Sequence, residues 1–328
     1  MPIEPARNIV GLSVMSMAVE QQAGPAGRRP VGRGLALRGI GVRFGGLVAL
    51  DDVSLDVPER GVVGIIGPNG AGKTTLFNVI CGFVRPGHGT MTWAGAELRP
   101  RPEHLSGLGI ARTLQGIGLF AGLSVLENVM VGAASGRARF GSALLALPGS
   151  DRAERALRQA ALDCLRELGV AGYADRSPDS LPYPLRKRVA LARALVSRPR
   201  LLLLDEPAGG LGAEDVDELA DLIRALPDRD GGGCAVALVE HHMDLVMRVC
   251  ERVVVLDFGR VIAAGAPDEV RNDPVVADAY LGTDADPEAF GSNRAGAAAP
   301  DRGDAPGRGV EERRRPEAPR ERADGEAR

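Results

Sequence analysis

The chain has 328 residues, a net charge of −3, 45% hydrophobic residues and only 3% aromatics. That length allows one large or two modest domains with proper cores. The near-neutral charge and scarce aromatic rings argue against a nucleic-acid partner, because neither an electrostatic footprint nor stacking platforms are present.

Residues 1 to about 33 read as a disordered leader. Within it, Ile9 to Val19 is mildly apolar, but Gly11, Ser13 and Ser16 interrupt it and no convincing cleavage site follows. No apolar run in the chain approaches the ~20 residues needed to span a bilayer. From Leu35 the composition becomes globular. Gly61 to Ile66 predicts a buried strand, Lys73 to Cys81 a helix, and Thr90 to Trp93 another strand. Between Asp151 and Leu168, apolar residues at Ala153, Leu157, Ala161, Cys164 and Leu168 have helical spacing. A helix over Leu185 to Val196 follows, then short strands at Leu201 to Leu204, Val236 to Val239 and Val253 to Leu256. Alternating strands and helices of this kind predict a three-layer α/β core with a mainly parallel sheet. The tail, residues 283–328, is Ala, Gly, Pro, Arg and acidic residues with Phe290 its only aromatic. It cannot bury enough apolar surface to offset its ordering entropy, so a disordered polyampholyte is expected.

The four cysteines, Cys81, Cys164, Cys234 and Cys250, form no CxxC pair and no cluster with histidine. They are expected to be reduced thiols acting as small apolar residues, with neither a zinc site nor a disulfide scaffold.

Lysine occurs only at Lys73 and Lys187, arginine supplying the other positive charges. Lys73 stands in Gly67-Pro68-Asn69-Gly70-Ala71-Gly72-Lys73-Thr74, which fits G-x-x-x-x-G-K-[ST] between a predicted strand and a predicted helix. The glycines let successive backbone N–H groups point into one hollow at the positive end of the helix, where an anion is favoured. This predicts a loop that cradles ATP phosphates, with Lys73 reaching the β- and γ-phosphates and the Thr74 hydroxyl helping to hold Mg²⁺; Thr75 follows in the same turn.

Downstream, four leucines deliver Asp205 and Glu206 at the C-terminal end of a buried strand, where α/β sheets place ligands. Asp205 suits a Mg²⁺-linked role, and Glu206 suits a general base polarising the attacking water. Gln115, after another strand candidate, has an amide able to meet both metal and water. His241, after the strand ending at Val239, is placed to hydrogen-bond a phosphate oxygen. Phe44 is suited either to stacking on adenine or to a core position.

Taken in order, these elements resemble the ATP-binding subunit of an ABC transporter from about Leu35 to Gly282. The resemblance implies an antiparallel β part beside the parallel ATPase core, residues 34–282 as one ATPase domain, and an inserted helical subdomain over residues 116–185 that contacts a membrane permease. It implies Phe44 as the adenine stacker, Gln115 as a magnesium and water contact, Glu206 as the catalytic glutamate and His241 as the switch histidine. A narrower resemblance, to ATPases of branched-chain amino acid importers, is carried by Arg43 to Leu50, Ala111 to Gln115, Val125 to Val129, Glu240-His241-His242-Met243 and Ala279-Tyr280-Leu281-Gly282. This implies an ATPase peripheral to the cytoplasmic face of the membrane, with permease subunits, a second ATP-binding subunit and, indirectly, a substrate-binding protein as partners. Competing readings are a soluble ABC-type ATPase, for which no second cassette or basic extension is evident, and a nucleotide-binding regulatory subunit with weak hydrolysis.

One departure stands out. The family's signature loop begins Leu-Ser-Gly-Gly-Gln, and its hydroxyl and amides contact the γ-phosphate held by the opposite subunit. Here the matching residues are Leu181-Pro182-Tyr183-Pro184-Leu185. Pro182 has no hydroxyl and Pro184 no backbone N–H. The next helix should still form, because proline suits a first turn. A heterodimer, in which a partner's signature completes this chain's own ATP site, is the expected assembly.

Overall fold

The computed structural model describes residues 34–113, 116–133, 150–229 and 233–280; the expected leader, the expected tail and Gln115 lie outside them. The β-strands are β1 (Leu35–Phe44), β2 (Leu47–Val57), β3 (Val62–Ile66), β4 (His88–Trp93), β5 (Ala96–Glu97), β6 (Ile110–Arg112), β7 (Leu201–Asp205), β8 (Ala235–Val239), β9 (Arg252–Asp257) and β10 (Arg260–Gly265). The described helices are α1 (Lys73–Ile80), α2 (Val125–Ala133), α3 (Ser150–Glu167), α4 (Tyr183–Leu195), α5 (Ala213–Ala225), α6 (Met243–Val249), α7 (Pro267–Arg271) and α8 (Pro274–Tyr280). Each strand and helix predicted above is present, with ends shifted by one or two residues.

The strands form a six-stranded sheet, β10-β9-β3-β8-β7-β6, and a four-stranded sheet, β2-β1-β4-β5. In the six-stranded sheet β9, β3, β8, β7 and β6 run parallel, and β10 closes one edge antiparallel to β9. The four central strands are apolar along nearly their whole length because both faces are covered. Their side chains divide with the period of two that a pleated strand dictates. Val62, Ile66, Leu202, Leu204, Val236, Leu238, Val253 and Val255 enter one core with α2 to α6. Val63, Ile65, Leu201, Leu203, Ala235, Ala237, Val239, Val254 and Leu256 enter the other.

That second core is closed by α1 and by the antiparallel strands, through Leu35, Leu37, Ile40, Leu50, Val53, Leu76, Phe77 and Ile80. The three-layer prediction therefore holds, but one outer layer is mostly sheet. Of that sheet the sequence marked only β4, at Thr90 to Trp93, because β1 is irregular. Its pairing with β2 shifts register between Leu37 and Ile40 and again near Val42, which breaks the alternation. All four cysteines are buried free thiols. Among the described residues no helix is long and apolar enough to cross a membrane.

Candidate nucleotide site

The loop after β3 is shaped by glycine. Gly67 has φ 150°, and a Cβ there would lie 2.0 Å from the Leu256 carbonyl oxygen of β9. Gly72, with φ 101°, caps α1, and a Cβ would lie 2.6 Å from the Ala49 carbonyl oxygen of β2. Only glycine satisfies both the positive φ and the close approach. The sequence therefore bends at these points, and the first turn of α1 carries Lys73, Thr74 and Thr75.

Lys73 is buried, and its Nζ donates to the carbonyls of Gly67 at 2.6 Å and Pro68 at 2.9 Å. Burial pushes its pKa below the ordinary lysine value, while the carboxylates of Glu206 and Asp205 act against that shift. Both acids are thus close enough for their charge to bear on the ammonium.

Strand order explains how. β8 lies between β3 and β7, parallel to both. The C-terminal ends of the three strands consequently deliver the glycine loop, Asp205-Glu206 and Glu240-His241 along one edge of the sheet, the side where open α/β sheets bind ligands.

Asp205 is 3% exposed. Its Oδ2 accepts from Arg112 Nη2 at 2.6 Å, and its backbone N–H donates to Thr113 Oγ1 at 3.2 Å. Its Oδ1 is buried with no hydrogen-bond partner among the described residues. One carboxylate oxygen is thus fixed and the other offers its lone pairs to a cation. Glu206 is half-buried with φ 47°, and its N–H donates to the Val239 carbonyl at 2.9 Å.

Glu240 is fully buried. Its Oε2 accepts the backbone N–H of His241 at 3.0 Å and of His242 at 3.2 Å, and lies 3.1 Å from His242 Nδ1. The His241 side chain is left half-exposed at the same edge.

Phe44 ends β1, 51% exposed, on the hairpin whose second strand packs through Ala49 and Leu50 on Gly72. It is therefore not a core aromatic. Gln115 lies outside the described residues, but Thr113, two positions before it, donates its N–H to the Leu203 carbonyl beside Asp205. Leu181 is buried, Pro182 caps α4 with φ −54°, and Pro184 sits in the first turn, so the helix forms despite both prolines.

Three residues of this edge had no role assigned from the sequence. Arg112 bridges Asp205 and Asn78 Oδ1, the latter at 2.7 Å, and its guanidinium lies 5.6 Å from the Phe77 ring centre. An arginine inside a short buried strand was the available signal, since a guanidinium there needs a carboxylate. Glu240 directly follows an apolar strand, much as Asp205 ends one. Lys187 is one of only two lysines in an arginine-rich chain.

A glycine loop on α1, an acidic strand end and a histidine just after the strand between them, over a mixed sheet, define an ATP-binding cassette. The comparisons agree. The chain belongs to the ABC transporter family: residues 50–209 match that family's model, and residues 260–286 match the model of the branched-chain amino acid ATP-binding cassette transporter family. It is 40% identical over 251 residues to the high-affinity branched-chain amino acid transport ATP-binding protein LivG of Salmonella typhimurium, spanning 76% of this chain and 97% of that one. It is equally 40% identical to BraF of Pseudomonas aeruginosa, a protein of the same description, over 258 residues, 77% of this chain and 98% of that one. Among solved structures it is similar to the ADP conformation of MJ1267, an ATP-binding cassette of an ABC transporter, with TM-score 0.65, 28% identity, and coverage of 76% of this chain and 98% of that chain. As a member of this family the chain is an ATPase. The C-terminal match includes Tyr280, whose phenol pKa burial raises while the Gly67 backbone works against it, so α8 reaches the glycine loop.

Proposed function

We propose that this chain is the ATP-hydrolysing subunit of an importer for branched-chain amino acids or related small solutes, bound to permease subunits at the cytoplasmic face of the membrane. The cargo and the importing direction rest on the relatives' descriptions and the C-terminal match. The observation that carries hydrolysis is the strand order that sets Asp205 and Glu206 against Lys73.

Lys73 Nζ turns from the Gly67 and Pro68 carbonyls to the β- and γ-phosphates, and the glycine loop offers its amides to the same oxygens. Asp205 Oδ1, buried with its lone pairs unengaged, fits Mg²⁺, which prefers hard oxygen ligands; the Thr74 hydroxyl and the Gln115 amide, assigned by motif and resemblance, would complete the set. When bound, the ion neutralises charge on the β- and γ-phosphate oxygens. Glu206 takes a proton from the attacking water, His241 donates to a γ-phosphate oxygen, and Phe44 stacks on the adenine. The helices between β6 and β7 face the permease.

Each ATP site is completed by the opposite subunit, so the donors missing at Pro182 and Pro184 weaken the partner's site and leave this chain's own site competent. A second ATP-binding subunit with a donor-rich signature is therefore the partner. The same prolines favour the alternative of a regulatory subunit with weak hydrolysis. Glu206→Gln separates the two. Hydrolysis by the assembled transporter should fall by at least ~100-fold with ATP affinity retained. An unchanged rate would assign turnover to the partner's site and make this chain regulatory.

A further inference from the structure

Glu206, at φ 47°, holds a left-handed backbone conformation that non-glycine residues adopt only at a cost, so its surroundings must over-determine it. Two charged side chains with no role assigned so far hold this segment. Lys187, in α4, donates from Nζ to the Pro207 carbonyl at 2.7 Å and the Glu206 carbonyl at 3.2 Å. Glu240 accepts the Ala208 N–H on Oε1 at 2.7 Å, while its Oε2 holds the amides of His241 and His242. The segment bearing the base and the segment bearing the switch histidine therefore share one buried carboxylate.

Further contacts tie the same loop to the start of α4. The Lys187 ammonium lies 5.4 Å from the centre of the Tyr183 ring, and that ring packs on Gly210, where a Cβ would come within 3.2 Å of it. The Tyr183 hydroxyl reaches the Gly209 carbonyl at 3.4 Å, a weak bond. Burial lowers the Lys187 pKa, and the Glu240 and Glu206 carboxylates oppose that shift, which places all three charges in one neighbourhood. A compact ammonium can point separate N–H groups at two adjacent carbonyls, whereas a guanidinium presents a planar fork. That is a physical reason for lysine in a chain that otherwise uses arginine.

We propose that Lys187 and Glu240 are positioning residues that clamp segment 206–208 and so fix the Glu206 carboxylate relative to His241. The inference rests on Glu206 being the base. The N-terminal part of α4, which carries Tyr183 and Lys187, thereby has a task within its own subunit.

The test measures phosphate release from MgATP in a single turnover by the assembled transporter, for wild type, Lys187→Met, Glu206→Gln and the double variant. Lys187→Met should slow release about tenfold while nucleotide affinity stays within about twofold. Combined with Glu206→Gln it should add no further loss, because its effect passes through that carboxylate. An unchanged rate for Lys187→Met, or the same tenfold loss in both backgrounds, overturns the proposal. If Lys187→Met does not fold, Lys187→Arg carries the same comparison, a slower rate confined to the Glu206 background supporting the clamp and an unchanged rate overturning it. Full turnover by Glu206→Gln alone would instead remove the base assignment, a distinct result.

Discussion

Two loops of this chain lead into a helix, Gly67–Thr74 into α1 and Leu181–Leu185 into α4, and their backbones differ in what they offer an anion. The first has glycine at positive φ at positions 67, 70 and 72, with a buried lysine behind them. The second has proline at 182 and 184 and so no amide N–H at either position. Both helices form. The helix thus tolerates both prolines, and on the proposed reading what they remove is donors for a nucleotide bound by the opposite subunit. Residues that let a helix start are therefore separable from residues that could donate to a phosphate at that start.

The largest effect should come from erasing the difference. Pro182→Ser with Pro184→Gly restores a hydroxyl and an amide, charge-assisted donors each worth about 1.5–3 kcal/mol. ATP turnover by the purified chain acting as a homodimer should rise more than tenfold. No rise would mean that water or relaxed backbone already supplies those donors.

The next largest effect should come from the buried ion pair beside the glycine loop. The Arg112–Asp205 pair is buried, with side-chain exposures of 12% and 1%. Arg112→Met leaves Asp205 without that partner and should cost about 3–5 kcal/mol in denaturant unfolding. An unshifted unfolding midpoint would show that Lys73 and the nearby amides compensate the carboxylate.

The smallest concerns the floor beneath the glycine loop. Cys250 packs under β3, so that a Cβ on Gly64 would lie 2.9 Å from its sulfur, and burial raises its pKa from 9.0 to about 12. Cys234 is raised likewise, to about 11. Above pH 9 the unfolded chain loses these protons while the folded chain keeps them. Stability is therefore fully present below pH 9 and falls as pH rises toward the folded values. Unfolding curves at pH 8 and pH 10 should show a loss on the order of 1 kcal/mol per thiol, reduced in Cys250→Ala. A pH-independent midpoint would mean that the thiols are not held protonated by the fold.

Much of this was legible beforehand, for identifiable reasons. The glycine-rich loop was legible because strand, glycines and lysine are contiguous. Asp205 and Glu206 were legible because four leucines immediately before them cannot be anything but buried. Of the antiparallel sheet only β4 was legible, since register shifts in β1 disrupt its alternation, and only resemblance supplied the rest. Arg112, Lys187 and Glu240 carried no recognisable spacing to the residues they hold, because Arg112 and Asp205 are 93 positions apart and Ala208 and Glu240 are 32 apart.

By itself, then, the amino-acid order determined which segments become strand, helix and phosphate loop, since those depend on period, propensity and chemistry within a few neighbouring residues. Only the tertiary structure decided that β8 runs between β3 and β7, that one oxygen of Asp205 belongs to Arg112, and that Lys187 and Glu240 grip the Glu206 segment. Those are outcomes of which buried faces meet and which buried charges must find partners, and they are settled when the whole core packs.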